Sequence, residues 1–100
     1  IVMTKKRANK EQRLDMDKKA RWGCVVCRKI DFDVITPPQI HHIKEGLGLS
    51  QRDHSQTIPL CYHHHMSPKY GIHGMGSKAW VKIYGTESEL LKFYEDNKDE

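Results

Sequence analysis

The sequence has little apolar material for a folded protein: hydrophobic residues make up 37% of its 100 residues, and aromatic residues 8%. No apolar run approaches the roughly 20 residues that cross a bilayer, so we expect a soluble protein with no membrane partner. A chain this short buries only a modest core. Domains of this size usually need disulfides or a bound metal for stability, which directs attention to the cysteines and histidines.

Cysteine is scarce, and its three copies are an odd number that cannot all pair internally. The opening residues Ile1 to Met3 are followed at once by Lys5, Lys6 and Arg7, so we expect no apolar targeting segment. These features favour a reduced, intracellular protein that uses cysteine to bind metal. A start at Ile1 instead of methionine is what a piece of a longer chain would have.

Acidic residues are sparse at the amino-terminal end. Residues 1–30 carry ten Lys and Arg against three acids, a net charge of +7, whereas residues 86–100 carry two against six, a net of −4. Such a basic end can contact a polyanion or can be an ordinary solvated surface. We divide the chain into a basic arm or helix over residues 1–22 and a domain over residues 23–100.

The pattern of the chain predicts an α+β fold. Residues 4–21 are rich in good helix formers without a clear apolar stripe, which predicts a frayed or partner-stabilised basic helix, or disorder in its first half. Alternating apolar residues predict a half-buried strand over residues 30–34, and further strands are expected over residues 39–43 and 57–60. Residues 44–56 have the composition of a loop.

Two helices are expected at the carboxyl-terminal end. Ser77 can cap a helix whose apolar face contains Trp80, Val81, Ile83 and Tyr84, with Gly85 as its stop. Thr86 to Glu89 has the spacing of a capping box for a last helix. Its buried side is expected to hold Leu90, Leu91, Phe93 and Tyr94. We assign these two helices the role of a lid on the core.

All three cysteines belong to two pairs with metal-ligand spacing, Cys24-x-x-Cys27 and Cys61-x-x-His64. Three thiolates and one imidazole complete a tetrahedral zinc shell, and such a closed shell is structural because it leaves no position for a substrate. His63 is the alternative fourth ligand, although the spacing favours His64. Unliganded buried cysteines and a redox Cys-x-x-Cys are the other interpretations, and no βαβ unit supports the second.

All seven histidines lie between residues 41 and 73. With His64 assigned to the zinc shell, His65 can face elsewhere and join His41 and His73 in a three-imidazole set with open coordination. An open metal site beside an uncommitted histidine is the arrangement that activates water. The plainer alternative is that these histidines are solvent-exposed or hydrogen-bonded.

These motifs resemble the HNH endonucleases with their ββα-metal motif. The resemblance covers about residues 24–91 and includes a cysteine pair, His-His-Ile at a strand end, a polar loop, and a strand running into Leu-Cys-x-x-His-His. More narrowly, the chain is similar to the phage and prophage recombination-enhancement (Ref) nucleases that depend on RecA filaments. The narrower likeness is carried by His-His-Ile, residues 57–61, Gly71-Ile72-His73, Trp80 and residues 84–87.

The resemblance implies a zinc-stapled ββα-metal domain with roles for particular histidines. It makes His41, His65 and His73 ligands of a catalytic divalent metal and His42 the general base, although the eight residues from His65 to His73 exceed the family's usual spacer. The middle Asn of the family motif has no counterpart here, and His54 is the preferred substitute over Gln56 or Asp53. A shell of imidazoles favours Zn²⁺, Mn²⁺, Ni²⁺ or Co²⁺ over Mg²⁺, which a single-ion nuclease can still tolerate.

The resemblance therefore implies an endonuclease that hydrolyses DNA phosphodiester bonds in the cytoplasm of a bacterial host. DNA is the expected partner, with a RecA-type recombinase filament as a further one. Basic residues of the amino-terminal arm are expected to contact phosphates without reading sequence. The alternative is a non-catalytic zinc module that binds DNA or a protein. A zinc deaminase is excluded because no His-x-Glu element occurs.

Overall fold

Two short strands pair at the centre of the molecule in a computed structural model that describes residues 9–43 and 56–99. Strand β1 (Gln39–His42) runs antiparallel to β2 (Thr57–Leu60), with His41 opposite Ile58 and His42 opposite Thr57. All of β2 is buried, whereas β1 buries His41 and leaves His42 half-buried. Both predicted strands are confirmed. Because side chains alternate along β1, its two histidines point to opposite faces.

Helices surround this strand pair and complete an α+β fold, as predicted. Helix α3 follows β2 directly, so the central elements run strand, strand, helix along the chain. None of the described helices is long and apolar enough to span a membrane. The helices of the described residues are α1 (Lys10–Trp22), α2 (Val25–Ile30), α3 (Tyr62–His65), α4 (Ile72–Met75), α5 (Ser77–Tyr84) and α6 (Glu87–Asn97).

Helix α1 is capped at its start and packed at its end. The Asn9 side chain accepts a hydrogen bond from the Gln12 backbone N–H at 2.8 Å, and the Gln12 side chain accepts one from Asn9 N at 2.9 Å. Lys19 is fully buried, where its Nζ donates to Thr57 Oγ1 at 2.9 Å and pairs with Asp15 at 2.8 Å. The described part of the basic segment is thus a packed helix and not a frayed one.

Arg28 is a second basic residue that serves the fold. Its guanidinium lies 4.3 Å from the Trp22 ring centroid and 4.0 Å from that of Phe32. Nε donates to the Phe32 carbonyl oxygen at 2.8 Å, and Nη1 donates to the Trp22 carbonyl oxygen at 3.1 Å. Lys19 and Arg28 therefore use their charges inside the protein, and these two residues cannot be part of a basic surface.

The predicted strand over residues 30–34 is wrong. The chain is helical up to Ile30, and a turn follows in which the Asp31 carboxylate accepts from Asp33 N at 3.1 Å and Val34 N donates to the Asp31 carbonyl oxygen at 2.9 Å. Ile30 and Val34 are exposed, and only Phe32 of the alternating residues packs on the core. The helical turn that brings Cys24 and Cys27 together overrides this short alternation.

Two of the three features predicted for the ends of the last two helices are present in the structure. Gly85 ends α5 with a φ of 101°, and Thr86 and Glu89 form the expected capping box of α6. Ser77 is the first residue of α5 and does not cap it, because Gly76 occupies the N-cap position.

The core packs between the strand pair and the helices. Ile83, which the sequence predicts on the apolar face of α5, lies outside this core and is 62% exposed. Trp22 has edge-on aromatic contacts with Phe32, Phe93 and Tyr94, which join α1 to α6. The largest fully buried apolar side chains are Trp80, Tyr94, Ile58, Leu60, Leu90 and Val25.

Gly23 allows the chain before the cysteine pair to lie close to Ile35, and we expect a larger residue here to destabilise the fold. Its φ is +99°, and an added Cβ would lie 2.9 Å from Ile35 Cγ2 and 3.2 Å from Ile35 Cα. Gly76 has a similar φ of +95° with nothing within 4 Å of the added Cβ. Both Ala variants should lose roughly 1–3 kcal/mol to backbone strain.

Gly23→Ala should lose more than Gly76→Ala because it also crowds Ile35. In thermal denaturation each additional kcal/mol lowers Tm by about 4–8 °C in a domain of this size. Equal Tm values for the two variants would show that crowding against Ile35 does not contribute to the loss of stability.

Candidate metal centres

The structure brings the four residues of the two predicted pairs into one group. Cys24 is the N-cap of α2, and Cys27 follows within its first turn. Cys61 is the N-cap of α3, and the Nδ1 of His64 lies one turn later. The four ligand atoms all lie within 4.8 Å of one another, and three of the four residues are buried. Two helix starts therefore each present two ligands to a common centre.

The separations between these atoms match the edges of a zinc tetrahedron. Zn–S distances of about 2.3 Å and Zn–N distances of about 2.0 Å place two sulfurs about 3.8 Å apart, and a sulfur and a nitrogen about 3.5 Å apart. Sγ of Cys27 and Sγ of Cys61 are 3.8 Å apart, and His64 Nδ1 lies 3.7 Å from Cys24 Sγ, 3.7 Å from Cys27 Sγ and 3.2 Å from Cys61 Sγ. The group suits a structural Zn²⁺.

Metal binding at this group requires the cysteine thiols to lose their protons. Burial raises the pKa of the Cys24 thiol to about 12 and raises that of Cys61, and burial together with His63 lowers the pKa of His64. Without an ion the thiols of Cys24 and Cys61 are therefore neutral near pH 7. Zinc must displace their protons, so its affinity should rise with pH.

His63, the alternative ligand, lies elsewhere. Its ring is exposed and stacks on Tyr70, with centroids 4.6 Å apart. Adjacent positions on a helix point about 100° apart, so only one of the two histidines can face the thiolates. The structure places His64 there.

His64→Ala should remove the tightly held zinc and with it the cooperative fold, since structural zinc contributes about 10–16 kcal/mol in small domains. His63→Ala, one residue away on α3, is the matched control and should retain one zinc per chain and the wild-type melting curve. Zinc content after native purification and circular dichroism on heating measure both effects. Full zinc retention in His64→Ala would contradict the assignment.

A second group is formed by His41, His65 and His73, which β1, α3 and α4 contribute. Their ligand nitrogens lie within 4.8 Å of one another, and the ring centroids are 4.7–5.2 Å apart. His41 is buried, His65 is half-buried and His73 is exposed. This group could hold a metal, and with three ligands and an exposed side it would leave coordination positions open.

Close packing of two glycines explains how His73 reaches this group despite its eight-residue separation from His65. A Cβ on Gly71 would lie 2.7 Å from the His65 carbonyl carbon, and one on Gly74 would lie 2.0 Å from the Ser67 carbonyl oxygen. The chain after α3 therefore folds back on itself, and α4 is seated against it. The longer spacer is accommodated in the short fold-back between the two helices.

Two further side chains hold the histidines of this second group. His41 Nε2 donates to Glu87 Oε2 at 2.5 Å, since a carboxylate can only accept, and the Nδ1 of His41 is left to face a metal. His65 Nδ1 donates to Gln39 Oε1 at 2.7 Å, which leaves its Nε2. Carboxylate and amide partners of this kind fix the tautomer and orientation of metal-binding histidines.

The electrostatics of His65 favour metal binding. Burial, followed by the nearby His41 and His73, lowers the pKa of His65 to about 4. Its imidazole is therefore neutral near pH 7, which is the form that coordinates a metal.

Of the two predicted catalytic residues, the structure describes His42 alone. His42 is the last residue of β1, is half-buried, and belongs to neither metal group among the described residues. His54 lies outside the described residues, as does its alternative Asp53. Gln56, the third alternative, has an exposed side chain, and its backbone oxygen accepts from Ile43 N at 2.8 Å.

Glu87 is the site residue that sequence reasoning missed. The capping box at Thr86 correctly predicted a helix start, which places Glu87 in the first turn of α6. Nothing in the sequence indicated that this carboxylate meets a histidine 46 positions earlier. Its burial, with only 8% of the side chain exposed, is unusual for a charged group and is explained by the His41 contact.

Comparison with known proteins adds no family assignment. No protein-family model matches the chain, and no curated protein matches it significantly in sequence. The chemistry of the two groups therefore rests on their own geometry.

Glu87→Gln should weaken metal binding at the three-histidine group by about 10–100-fold, because partners of metal-bound histidines contribute that much. The tight zinc of the cysteine group should be unaffected. Glu89→Gln is the control, since Gln preserves the α6 capping box. Calorimetric titration with Zn²⁺ or Co²⁺ measures the weaker site. Equal affinities for wild type and Glu87→Gln would show that Glu87 does not support His41.

Proposed function

We propose that this chain is a metal-dependent endonuclease of the HNH type that hydrolyses DNA phosphodiester bonds. The observation that carries the proposal is the presence of two possible metal groups, one of three imidazoles and one of three cysteines and an imidazole, both supplied in part by α3. The order of β1, β2 and α3 also agrees with the ββα-metal arrangement that the sequence resembles. Phage or prophage recombination is the proposed setting, from the same resemblance.

The division of labour between the two groups supports a catalytic role for one of them. Four ligands satisfy tetrahedral zinc in the cysteine group, which suits it to a structural role. The histidine group has three ligands and one exposed ring, that of His73, so a metal bound there could also bind a reacting molecule. A divalent ion bound by His41, His65 and His73 would polarise the scissile phosphate and stabilise negative charge on the departing oxygen. Imidazole ligands favour Zn²⁺, Mn²⁺, Ni²⁺ or Co²⁺, with Mg²⁺ the weaker choice.

His42 is the proposed general base. It follows the metal-group residue His41 in the chain, faces the other side of β1, and is partly accessible to solvent. A neutral imidazole can accept the proton of an attacking water near neutral pH. His54 is proposed to orient His42 or to meet the phosphate.

A non-catalytic zinc module that binds DNA or a protein is the second candidate. The cysteine group alone favours it, because such closed sites stabilise many small interaction domains. It gives no use to three clustered histidines, two of which, His41 and His65, are held by Glu87 and Gln39. For this reason we prefer the nuclease.

The proposed partners follow from the function. DNA is the substrate, a RecA-type filament is an additional partner by resemblance alone, and the cytoplasm of a bacterial host is the setting. Because Lys19 is buried, the basic arm must rely on its remaining Lys and Arg residues for phosphate contacts.

His42→Ala should lower the rate of plasmid nicking by about 10²–10⁴-fold, the usual contribution of a general base. The variant should keep both metal sites, because His42 belongs to neither group. Incubation of supercoiled plasmid with wild type and variant across graded Mn²⁺, Ni²⁺, Zn²⁺ and Mg²⁺ measures the effect. Cleavage by the variant at the wild-type rate would refute the role of His42, and no cleavage by wild type in any metal would favour the zinc module.

A further inference from the structure

A cleft of about 810 Å³ opens beside the three-histidine group. His41 and His73 form part of its lining, so the cleft is continuous with the proposed metal site. Ile72 and Val81 supply apolar surface, and α5 forms one side. A ligand held by the histidines would therefore extend along α5.

Two lysines of α5, Lys78 and Lys82, line this cleft. They are four residues apart and share one face of the helix, and both are exposed. Within the described ranges, the ion pairs of lysines involve Lys19, Lys92 and Lys98 and neither lysine of the cleft. Their charges are thus available to a ligand.

The acid in the cleft does not cancel this charge for a ligand. Glu87 is 6% exposed, and its Oε2 is bonded to His41. Both lysines, by contrast, are exposed on α5. The cleft therefore presents two cations along the path that leads to the three histidines.

The spacing of the lysines suits a phosphodiester chain. Four residues of α-helix advance by about 6 Å, and one strand of a duplex carries one phosphate per roughly 3.4 Å of axis. Lys78 and Lys82 are therefore far enough apart along α5 to contact different phosphates of one strand.

We propose that the α5 cleft is the track for the backbone of the polynucleotide, with Lys78 and Lys82 contacting phosphates next to the one held at the three-histidine group. This proposal rests on the proposed function. It gives the folded domain a substrate-binding surface that is separate from the amino-terminal basic segment. The contacts are to phosphates, so they add affinity without reading sequence.

The test compares Lys78→Ala/Lys82→Ala with Lys92→Ala/Lys98→Ala in the full chain. The control removes the same charge from α6 and its C-cap residue, where both lysines are already paired with acids. Fluorescence anisotropy of a labelled oligonucleotide is measured across a salt series, with zinc bound at the cysteine group and no other divalent metal added.

The cleft variant should flatten the slope of log K against log salt by about 1.4 for a single strand or about 1.8 for a duplex, which corresponds to two lost phosphate contacts. The control should keep the wild-type slope. Equal slopes for the two double variants would overturn the proposal.

Two more readouts separate the causes of a failure. If wild type cleaves plasmid while the two slopes are equal, the cleft proposal fails and the nuclease proposal stands. If wild type binds the oligonucleotide through the cleft but cleaves nothing, the nuclease proposal fails alone. An equal loss of binding to poly-glutamate would identify an acidic protein as the occupant and overturn the polynucleotide assignment.

Discussion

The structure depends on the meeting of two helix starts around one tetrahedral group. Cys24 and Cys27 begin α2, and Cys61 and His64 begin α3, so a bound zinc would join segments that lie 34 to 40 positions apart. The core between them is small, and a metal of this kind supplies free energy comparable with the whole stability of a domain. The same helix α3 also carries His65, so the position of the first group fixes where one ligand of the second group lies.

Helix α3 is a single turn, and its last two residues have opposite uses. His64 faces the thiolates, whereas His65 faces β1 and α4, where His41 and His73 lie. Gln39 and Glu87 then hold two of these rings from outside the group. The amphipathic α6 thus contributes Glu87 of its first turn to the second group, although its main role is to pack Leu90 and Tyr94 into the core. One helical turn thus contributes both to the group that suits a structural zinc and to the three-histidine group that could hold a second metal.

Much of this arrangement could be predicted from spacing alone. The cysteine pairs, the two strands and the α6 capping box are local patterns, and each is present in the structure. The strand expected at residues 30–34 failed because the ligand geometry of Cys24 and Cys27 requires a helical turn that continues to Ile30. The Glu87–His41 and Lys19–Thr57 contacts join residues 46 and 38 positions apart, and no local pattern encodes them. Such contacts depend on how the helices pack.

The most direct measurement of the central claim is anomalous diffraction at the zinc edge from crystals of the full chain soaked in zinc. The account predicts two peaks per chain, one enclosed by Cys24, Cys27, Cys61 and His64, and one bound by His41, His65 and His73. A single peak at the thiolates, or a second peak away from the three imidazoles, would contradict the claim that α3 divides its histidines between a closed and an open metal site.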